Sequence, residues 1–260
     1  MRPPAPISRR IGLLALCGLL WLTAQARAGE LLVAGGQFPR IYEAAEGGEA
    51  APTGLGVDLL RRAAARLGLS LRFALYPWPR AQALVERGQA DILVGPYRTP
   101  EREARFLFSA QPFYEDTLVF YARRDLPMGW HGDYAGLAPR TVGQVQGWAY
   151  GEAFEQARAA LPHLSTVRDV ATGLQMLRLA RLDLLASNER NTEPVLAQLG
   201  LADQLQQVGP PIGQLRGHFA FPRDARGQAL REAFDQAIAE MRTRGELREL
   251  SRRWKVKIPE

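Results

Sequence analysis

The sequence predicts an α/β protein made of two halves, each built on a largely parallel sheet. Short apolar runs typical of buried strands alternate with segments whose apolar residues recur at helical spacing, and glycines end several of these segments. The alternation restarts after Ala122–Gly132, a polar segment with proline and glycine that we interpret as a linker. Alternating strands and helices are typical of βα units on a parallel sheet.

Residues 1–28 have the pattern of a secretory signal peptide. Three arginines precede an apolar run of thirteen residues, Ile11–Thr23, and Ala26-Arg27-Ala28 fits a cleavage site between small residues. A membrane span needs about 20 apolar residues, which is longer than this run. A lipoprotein signal at Cys17 is the alternative, although the preceding Leu16 is bulkier than such a signal favours. We therefore expect cleavage after Ala28 and a periplasmic product.

The basic composition belongs mostly to this leader. The chain has 260 residues, with 33 lysines and arginines against 27 acids and a net charge of +6. Four of the arginines and no acid lie in residues 1–28, so the remaining 232 residues would carry a net charge of +2. The other arginines are spread along helical patterns near acids, which is typical of a solvated face. We therefore expect no nucleic-acid partner.

The elements of the first half are strands and helices in regular alternation. Their predicted bounds are Glu30–Gly35, Ser70–Leu75, Ala90–Gly95 and Asp116–Ala122 for strands, and Gly56–Leu67 and Arg80–Arg87 for helices. In the second half we predict strands at Thr141–Val145, Leu164–Arg168, Leu182–Ala186, Leu205–Val208 and Gly217–Phe221. The second-half helices are predicted at Ala149–Ala160, Ala171–Ala180 and 191–199, and two amphipathic helices at Arg226–Arg244 and Glu246–Trp254 end the chain.

Several common kinds of active site are missing from the sequence. The three histidines are far apart in the chain, we expect each to lie on the surface or in a loop, and Cys17 would leave with the leader, so we expect no metal site and no disulfide. No P-loop or G-x-S-x-G motif occurs, and Gly54-Leu55-Gly56 lacks the third glycine of a dinucleotide-binding turn. We expect no cofactor.

A candidate anion site lies in DILVGPYRTPER, residues 91–102. A buried strand ends near Gly95, and Thr99 followed by Pro100 is a strong helix start that places Arg102 in the first turn. Free backbone N–H groups at a helix start and a nearby guanidinium favour an anion, and arginine grips a carboxylate with two hydrogen bonds. The alternative is that Arg102 pairs on the surface with a neighbouring glutamate.

Aromatic residues follow several of the predicted strands. They are Phe38, Trp78, Tyr97, Trp148 and Tyr150. One aromatic side chain at a strand end is ordinary packing, but several at matching strand ends favour the wall of a small-molecule pocket.

An ordered set of short motifs resembles the family 3 extracellular solute-binding proteins, the type associated with polar amino-acid ABC importers. The resemblance covers nearly all of 30–258. The motifs are Phe38-Pro39, Gly54-x-x-x-Asp58-Leu59, Leu67-Gly68-Leu69, Gly88-x-x-Asp91, Gly95-x-x-x-Thr99-Pro100-Glu101-Arg102, Phe108-Ser109, Pro112-Phe113-Tyr114, Val145-x-x-Gly147 and Gly245-x-Leu247-x-x-Leu250-x-x-x-Trp254.

The resemblance implies a two-lobed periplasmic-binding-protein fold (type II), in which two parallel-sheet lobes are joined by two crossover strands and close on a ligand. The first lobe would contain 29–119 plus 223–260, and the second would contain 124–218. The hinge strands would lie at about 119–123 and 219–222.

The resemblance also implies roles for individual residues. Arg102 matches the arginine that grips the ligand α-carboxylate, with backbone help from Gly95 and Tyr97. In the family a hydroxyl residue often stands at this position, so Tyr97 is a departure that would enlarge or reshape the site. The acid that usually takes the α-amine, five residues after an aspartate matched here by Asp183, is Asn188 in this chain. A free amino acid as ligand is therefore open to question, unless Glu189 substitutes for the missing acid.

The predicted ligand-binding set is Phe38, Trp78, Gly95, Tyr97, Thr99, Arg102, Gly147, Trp148 and Asn188. Arg80 and Arg98 are further candidate cations for a second anionic group near the cleft, with surface charge as the alternative. The implied function is a monomeric receptor that captures a small carboxylate-bearing ligand and delivers it to the permease of an ABC importer. The alternatives are an enzyme similar to cyclohexadienyl or arogenate dehydratases, with Glu189 as its acid, and a sensor-type binding protein.

Overall fold

The computed structural model describes residues 30–45, 51–126 and 130–259. The predicted leader, residues 1–28, and residues 127–129 of the predicted linker lie outside the described residues. In chain order the elements are β1 (Leu31–Gly35), α1 (Leu55–Leu67), β2 (Leu71–Leu75), α2 (Trp78–Glu86), β3 (Ile92–Tyr97), α3 (Pro100–Glu103), β4 (Phe106–Phe108), β5 (Tyr114–Arg123), β6 (Val142–Val145), α4 (Glu152–Gln156), β7 (Leu164–Val167), α5 (Val170–Arg178), β8 (Leu184–Asn188), α6 (Glu189–Gln198), β9 (Leu205–Pro222), α7 (Ala225–Thr243) and α8 (Glu246–Trp254). Short 3-10 helices cover Ala135–Leu137 and Ala157–Ala160.

The strands pair in the order β2-β1-β3-β9-β5-β8-β6-β7, with β4 added to β9. The pairs β1–β2, β1–β3, β6–β7 and β6–β8 are parallel, whereas every pair that includes β5 or β9 is antiparallel. Two parallel groups of three strands therefore flank a central antiparallel pair. The prediction of two halves built on parallel strands is confirmed.

Each half has its own hydrophobic core. Buried residues of β1–β4, α1, α2, α7 and α8 form one cluster, which defines the first lobe. The second lobe has a hydrophobic cluster on each face of its sheet. Strand β5 contributes residues to both clusters, because successive side chains of a strand point to opposite faces of the sheet. Leu118, Phe120 and Ala122 enter one cluster, and Val119 and Tyr121 enter the other. The C-terminal helices thus return to the first lobe after the second is complete.

The chain crosses between the lobes on β5 and β9. Tyr114 pairs with Gly217 and packs in the first lobe, whereas residues 118–121 pair with β8 of the second. On β9, Phe219–Phe221 pack in the first lobe, and Leu215 contacts clusters of both lobes. These pairings favour crossings near 114–117 and 213–217, a few residues before the hinges predicted at 119–123 and 219–222.

Some predicted elements differ from the observed ones. The strands predicted at Leu205–Val208 and Gly217–Phe221 are one strand of 18 residues, β9. Strand β9 continues through Pro210 and Pro211, with a shift of register against β5 between Leu118 and Phe120. The helix predicted at Ala149–Ala160 begins only at Glu152, because Gly151 has a φ of +86°, which is not helical, and its last part is the 3-10 helix Ala157–Ala160.

None of the helices within the described ranges is long and apolar enough to cross a membrane.

The close approach of β5 and β9 at the crossing requires glycine. A Cβ atom at Gly217 would lie 1.7 Å from Cε1 of Tyr114, whereas one at Gly213, four residues earlier on β9, would meet nothing within 4 Å. We expect Gly217→Ala to lower the free energy of unfolding by about 1–3 kcal/mol through overpacking. Gly213→Ala is the matched control, and urea unfolding measures both. Equal effects of the two substitutions would contradict the packing at the crossing.

His218 is buried, which corrects the expectation that each histidine lies on the surface or in a loop. Its Nδ1 lies 3.1 Å from the carbonyl oxygen of Ser109, and its ring packs edge-on against Phe108. The pKa of His218 is lowered to about 4, chiefly by burial, with a smaller contribution from the charges of Arg98 and Arg216, and the hydrogen bond to Ser109 opposes this shift. The neutral ring is therefore part of the folded state at neutral pH.

Stability should consequently fall as the pH falls from about 6.5 to about 4. The unfolded chain, with an ordinary histidine pKa, binds the proton of His218 more tightly over this range than the folded chain does. At about 1.4 kcal/mol per pH unit, the loss is about 3 kcal/mol. We expect His218→Gln to flatten this part of the curve of unfolding free energy against pH, and the same change at exposed His163 to leave it unchanged. Parallel curves for all three proteins would show that His218 does not contribute.

Candidate ligand site between the lobes

The ends of β1, β3 and β6 meet where the lobes face each other and enclose a small cavity. Its volume is about 20 Å³, enough for one or two water molecules. The lining residues are Phe38, Trp78, Gly95, Tyr97, Arg102, Tyr114, Trp148, Ala149, Arg190 and Asn191. Six of the nine predicted ligand-binding residues are therefore brought together here, namely Phe38, Trp78, Gly95, Tyr97, Arg102 and Trp148.

Arg102 is held at the lobe interface by a one-turn helix. Thr99 ends the extended segment after β3, and its hydroxyl accepts a hydrogen bond from the backbone N–H of Arg102 at 3.2 Å. The guanidinium is only 6% exposed and donates to two carbonyls, that of Tyr97 at 3.0 Å and that of Gly147 in the second lobe at 2.8 Å. The alternative of surface pairing with a neighbouring glutamate is therefore wrong for Arg102.

Burial dominates the electrostatics of Arg102. Both acceptors of its guanidinium are uncharged carbonyls, and burial lowers its pKa, although an arginine stays charged at physiological pH. Two of the N–H groups expected at the start of α3 are not available to an anion, because Pro100 has none and the Thr99 hydroxyl accepts from that of Arg102. The buried positive charge of the guanidinium is thus the feature of this segment that favours an anion.

Gly147 follows β6 and forms the matching contact in the second lobe. Its φ is +72°, a conformation that favours glycine, and its carbonyl oxygen accepts from Arg102 and also from Nε1 of Trp78 at 3.0 Å. Gly147 is not one of the residues that line the cavity. Its backbone carbonyl connects the two lobes through the hydrogen bonds from Arg102 and Trp78. This position was predicted from the sequence as a ligand contact, and that role stays a prediction.

The walls of the cavity are aromatic. Phe38 and Trp78 pack edge-to-face with ring centroids 5.1 Å apart, and Tyr97 and Tyr114 lie 6.2 Å apart. The guanidinium of Arg102 lies 5.8 Å from the ring centroid of Trp78, and that of Arg190 lies 5.1 Å from the ring of Tyr114. Two of these aromatic faces therefore already carry a cation.

A buried ion pair forms the floor of the site. Arg190, in the first turn of α6, donates from Nε and Nη2 to the two carboxylate oxygens of Asp116 at 2.8 and 2.6 Å. Its Nη1 donates to the carbonyl oxygen of Pro39 in the first lobe at 2.7 Å. Burial alone would lower the pKa of Arg190, but the charge and hydrogen bonds of Asp116 outweigh burial and raise it. The pair therefore joins α6, the crossing strand β5 and the first lobe.

Tyr97 and Asn188 extend this network. The Tyr97 hydroxyl donates to Oδ2 of Asp116 at 2.6 Å and accepts from Nδ2 of Asn188 at 3.0 Å. Burial and the charge of Asp116 raise the pKa of Tyr97 well above its usual value, so the phenol remains a donor. Asn188 also caps α6 by accepting from the backbone N–H of Asn191 at 2.9 Å. Thr99 and Asn188 thus lie behind the cavity wall and not in it.

Three other residues are candidates from the sequence alone, and in the structure they lie away from the cavity. Arg80 is exposed and lies over the ring of Tyr76, and Arg98 is exposed and pairs with Glu103. Glu189 is half-buried beside Gln207, and burial and the nearby Glu193 raise its pKa. None of the three contributes to the cavity lining.

Sequence reasoning missed Arg190 and Asp116, although a signal for each exists. Arg190 stands in the first helical turn after a buried strand, as Arg102 does, and the same argument would have selected it. Asp116 is an acid inside an otherwise apolar strand, which indicates a buried partner. Tyr114, Ala149 and Asn191 complete the lining and have no comparable signal.

A wider opening adjoins the cavity on the outside. It has a volume of about 670 Å³ and shares Phe38, Trp78, Trp148 and Asn191 with the inner cavity. Residues of the first lobe, such as Tyr76, face residues of the second, such as Arg168, Asp169 and Val195, across it. Among the described residues, no group of three or more histidine, cysteine or acidic side chains is placed to hold a metal ion.

Comparison with known proteins identifies relatives by family and by fold. A family model described as bacterial extracellular solute-binding proteins, family 3, matches residues 32–257. No curated protein matches the sequence. The resemblance drawn from the motifs and the predicted two-lobed type II fold are confirmed.

Solved structures share the fold at low sequence identity. A histidine kinase sensor domain with similarity to periplasmic binding proteins is 22% identical, with a TM-score of 0.79 over 90% of this chain and 99% of that one. The arginine-, lysine-, histidine-binding protein ArtJ from Geobacillus stearothermophilus is 19% identical, with a TM-score of 0.73 over 89% and 97%. A putative L-cystine ABC transporter protein from Listeria monocytogenes is 20% identical, with a TM-score of 0.69 over 86% and 95%.

The ion pair beneath the cavity gives a test of the site's geometry. We expect Asp116→Asn to lower the free energy of unfolding by about 3–5 kcal/mol, because it leaves the Arg190 charge buried and uncompensated. The double variant Asp116→Asn with Arg190→Met removes both charges and should recover much of the loss. Urea unfolding of the two single variants and the double variant gives the coupling between the residues. Additive losses would contradict a direct ion pair.

Proposed function

The chain belongs to family 3 of the bacterial extracellular solute-binding proteins, and on this premise we propose that it is a receptor for a small carboxylate-bearing solute, bound between its lobes. The observation that carries the proposal is the position of Arg102. Its buried guanidinium lies at the lobe interface, against uncharged carbonyls and an aromatic ring. A ligand carboxylate is the group best matched to such a guanidinium.

Binding would require the lobes to separate and close again. The inner cavity of about 20 Å³ admits no organic acid, so the ligand enters only when the contacts of Gly147 with Arg102 and Trp78 open. A carboxylate can then replace the Gly147 carbonyl as acceptor, because the guanidinium has five donors. The crossings on β5 and β9 are the two connections that would bend, which is the hinge type of closure.

The proposed partner is the membrane permease of an ABC importer, with the receptor acting as a monomer in the periplasm. Membership of an extracellular family supports export, and one of the similar structures is described as the substrate-binding protein of an amino acid ABC transporter. A sensor role has the support of the likeness to a kinase sensor domain, and this likeness, like that to the transporter protein, concerns the fold alone. We propose the transport role because the matching family is described by the binding of solutes outside the cell.

The enzyme alternative has weaker support from the site. A dehydratase needs a carboxylic acid that can donate a proton in the cleft. The inner cavity lining that the structure describes contains no acid, and Glu189 lies outside it. Asp169 on the outer opening accepts from Arg168 and from the backbone N–H of Thr172, and against the effect of burial these hydrogen bonds lower its pKa, which does not suit a proton donor. Asp116 lies directly beneath the inner cavity, but Arg190 and Tyr97 both donate to it, which makes it an acceptor of hydrogen bonds and not a proton donor.

Arg102→Ala tests the proposal. We expect the affinity for carboxylate ligands to fall at least about 30-fold, since a buried charge partner contributes about 2 kcal/mol or more. The ligands are found first by a thermal-shift screen of amino acids, monocarboxylates and dicarboxylates, and isothermal calorimetry then measures the affinities.

The matched control is Arg98→Ala, which removes an exposed arginine four residues earlier. Arg98 pairs with Glu103 and lies outside the cavity lining, so ligand affinity should not change. Equal losses in both variants would indicate a general electrostatic effect and contradict the assignment of Arg102. Turnover of a cyclic substrate such as prephenate or arogenate, without stabilisation by any carboxylate, would favour the enzyme.

A further inference from the structure

The charges around the cavity do not suit a zwitterion. Two guanidiniums line it, those of Arg102 and Arg190, and no lining residue is an acid. Asp116 neutralises Arg190 through two short hydrogen bonds, which leaves Arg102 as the one lining cation without a carboxylate partner among the described residues. One negative charge on the ligand would therefore complete the charge balance.

An α-ammonium group would find no free carboxylate beside Arg102 among the described residues. The inner lining that the structure describes contains no acid, and Asp169 on the outer opening already accepts from Arg168 and from the backbone N–H of Thr172. The acid that the family pattern places at position 188 is an asparagine, whose amide already bonds Tyr97 and caps α6. The one carboxylate directly beneath the cavity, on Asp116, already accepts from Arg190 twice and from Tyr97 once. A buried ammonium without a partner weakens binding strongly.

The aromatic walls do not replace the missing acid. A ring face attracts cations, but Arg102 already lies over Trp78 and Arg190 over Tyr114. An ammonium placed against either ring would also be near a guanidinium of the same sign. The faces that remain, chiefly those of Phe38 and Trp148, suit an apolar group better than a second cation.

We propose that the site selects a monocarboxylate that lacks an α-ammonium group and carries an apolar body. The carboxylate binds Arg102, and the body lies between the aromatic walls and extends into the outer opening of about 670 Å³, which shares Phe38, Trp78 and Trp148 with the inner cavity. This inference rests on the proposed function, because it names the ligand class of the same site.

The test compares acids that differ in the amino group alone. The pairs are 3-phenylpropionate with L-phenylalanine and 4-methylpentanoate with L-leucine, with glutarate added as a dicarboxylate, and calorimetry on the full exported chain measures each affinity. We expect the acid without the amino group to bind at least about 10-fold more tightly in a pair, since an unpaired buried charge opposes the amino acid. Glutarate should bind more weakly than the monocarboxylates.

The outcomes separate this inference from the proposed function. If the amino acid of a pair binds as tightly as its partner or more tightly, and Arg102→Ala still abolishes binding, the receptor stands and the selectivity is wrong. Preferred binding of glutarate would also overturn it, because a second anionic group would then be recognised. If no carboxylate binds at all, the proposed function fails and this inference fails with it.

A variant that adds an acid to the lining gives a second readout. Asn191 lines the cavity, and Asn191→Asp keeps its size, its backbone bond to Asn188 and the oxygen that accepts from Nη1 of Arg190 at 3.4 Å, while Arg190 stays neutralised by Asp116. We expect Asn191→Asp to weaken binding of the monocarboxylate. The ratio of its affinity to that of the matching amino acid should fall at least about threefold, because the ammonium group then has a negative partner. Gln198→Glu adds the same charge at the exposed end of α6 and should leave the preference unchanged. An unchanged preference in Asn191→Asp would overturn the charge argument.

Discussion

The ion pair of Arg190 with Asp116 is the interaction on which the arrangement of the site depends. Two charges are removed from water at the point where β5 crosses between the lobes, and such burial is tolerated only when the hydrogen-bonding groups are satisfied. Arg190 meets this condition with the carboxylate and the Pro39 carbonyl, and Asp116 meets it with Arg190 and Tyr97. The first turn of α6 is thereby held against the first lobe in one geometry.

This network also sets the charge of the site. The carboxylate of Asp116 accepts hydrogen bonds from Arg190 and Tyr97, so it is not available to a ligand. The positive charge of Arg190 is neutralised by the same contact. Asn188 takes part by bonding Tyr97, and an aspartate at the same position would place a second buried carboxylate against the Tyr97 hydroxyl that already bonds Asp116. Like charges that share a buried site are unfavourable. The amide at 188 and the acid at 116 are therefore consistent with each other. Arg102 remains the lining cation that has no carboxylate partner among the described residues.

The sequence predicted much of the fold because its signals are local. Strands β1, β3 and β8 are continuous apolar runs, and the cap at Thr99 with Pro100 placed Arg102 correctly in a first helical turn. Non-local features were harder to predict. The strands predicted separately at Leu205–Val208 and Gly217–Phe221 are joined into β9, which pairs with β5, far away in the chain. The partnership of Arg190 with Asp116 spans 74 residues, so no local pattern indicates which acid the arginine meets.

The ligand class follows from these few side chains and not from the fold. Structures with TM-scores of 0.69 and 0.73 to this chain are described as proteins for cystine and for arginine, lysine and histidine, respectively, so one backbone arrangement serves ligands of different charge. At 19–22% identity, the shared fold fixes where a cleft lies, and the residues at the strand ends decide what enters it. In this chain those residues provide an unpaired guanidinium and aromatic faces, while the nearby carboxylate is occupied. That combination supports the proposed ligand with an anionic head and an apolar body, because the inner lining that the structure describes offers no free carboxylate and its other cation, Arg190, is neutralised by Asp116.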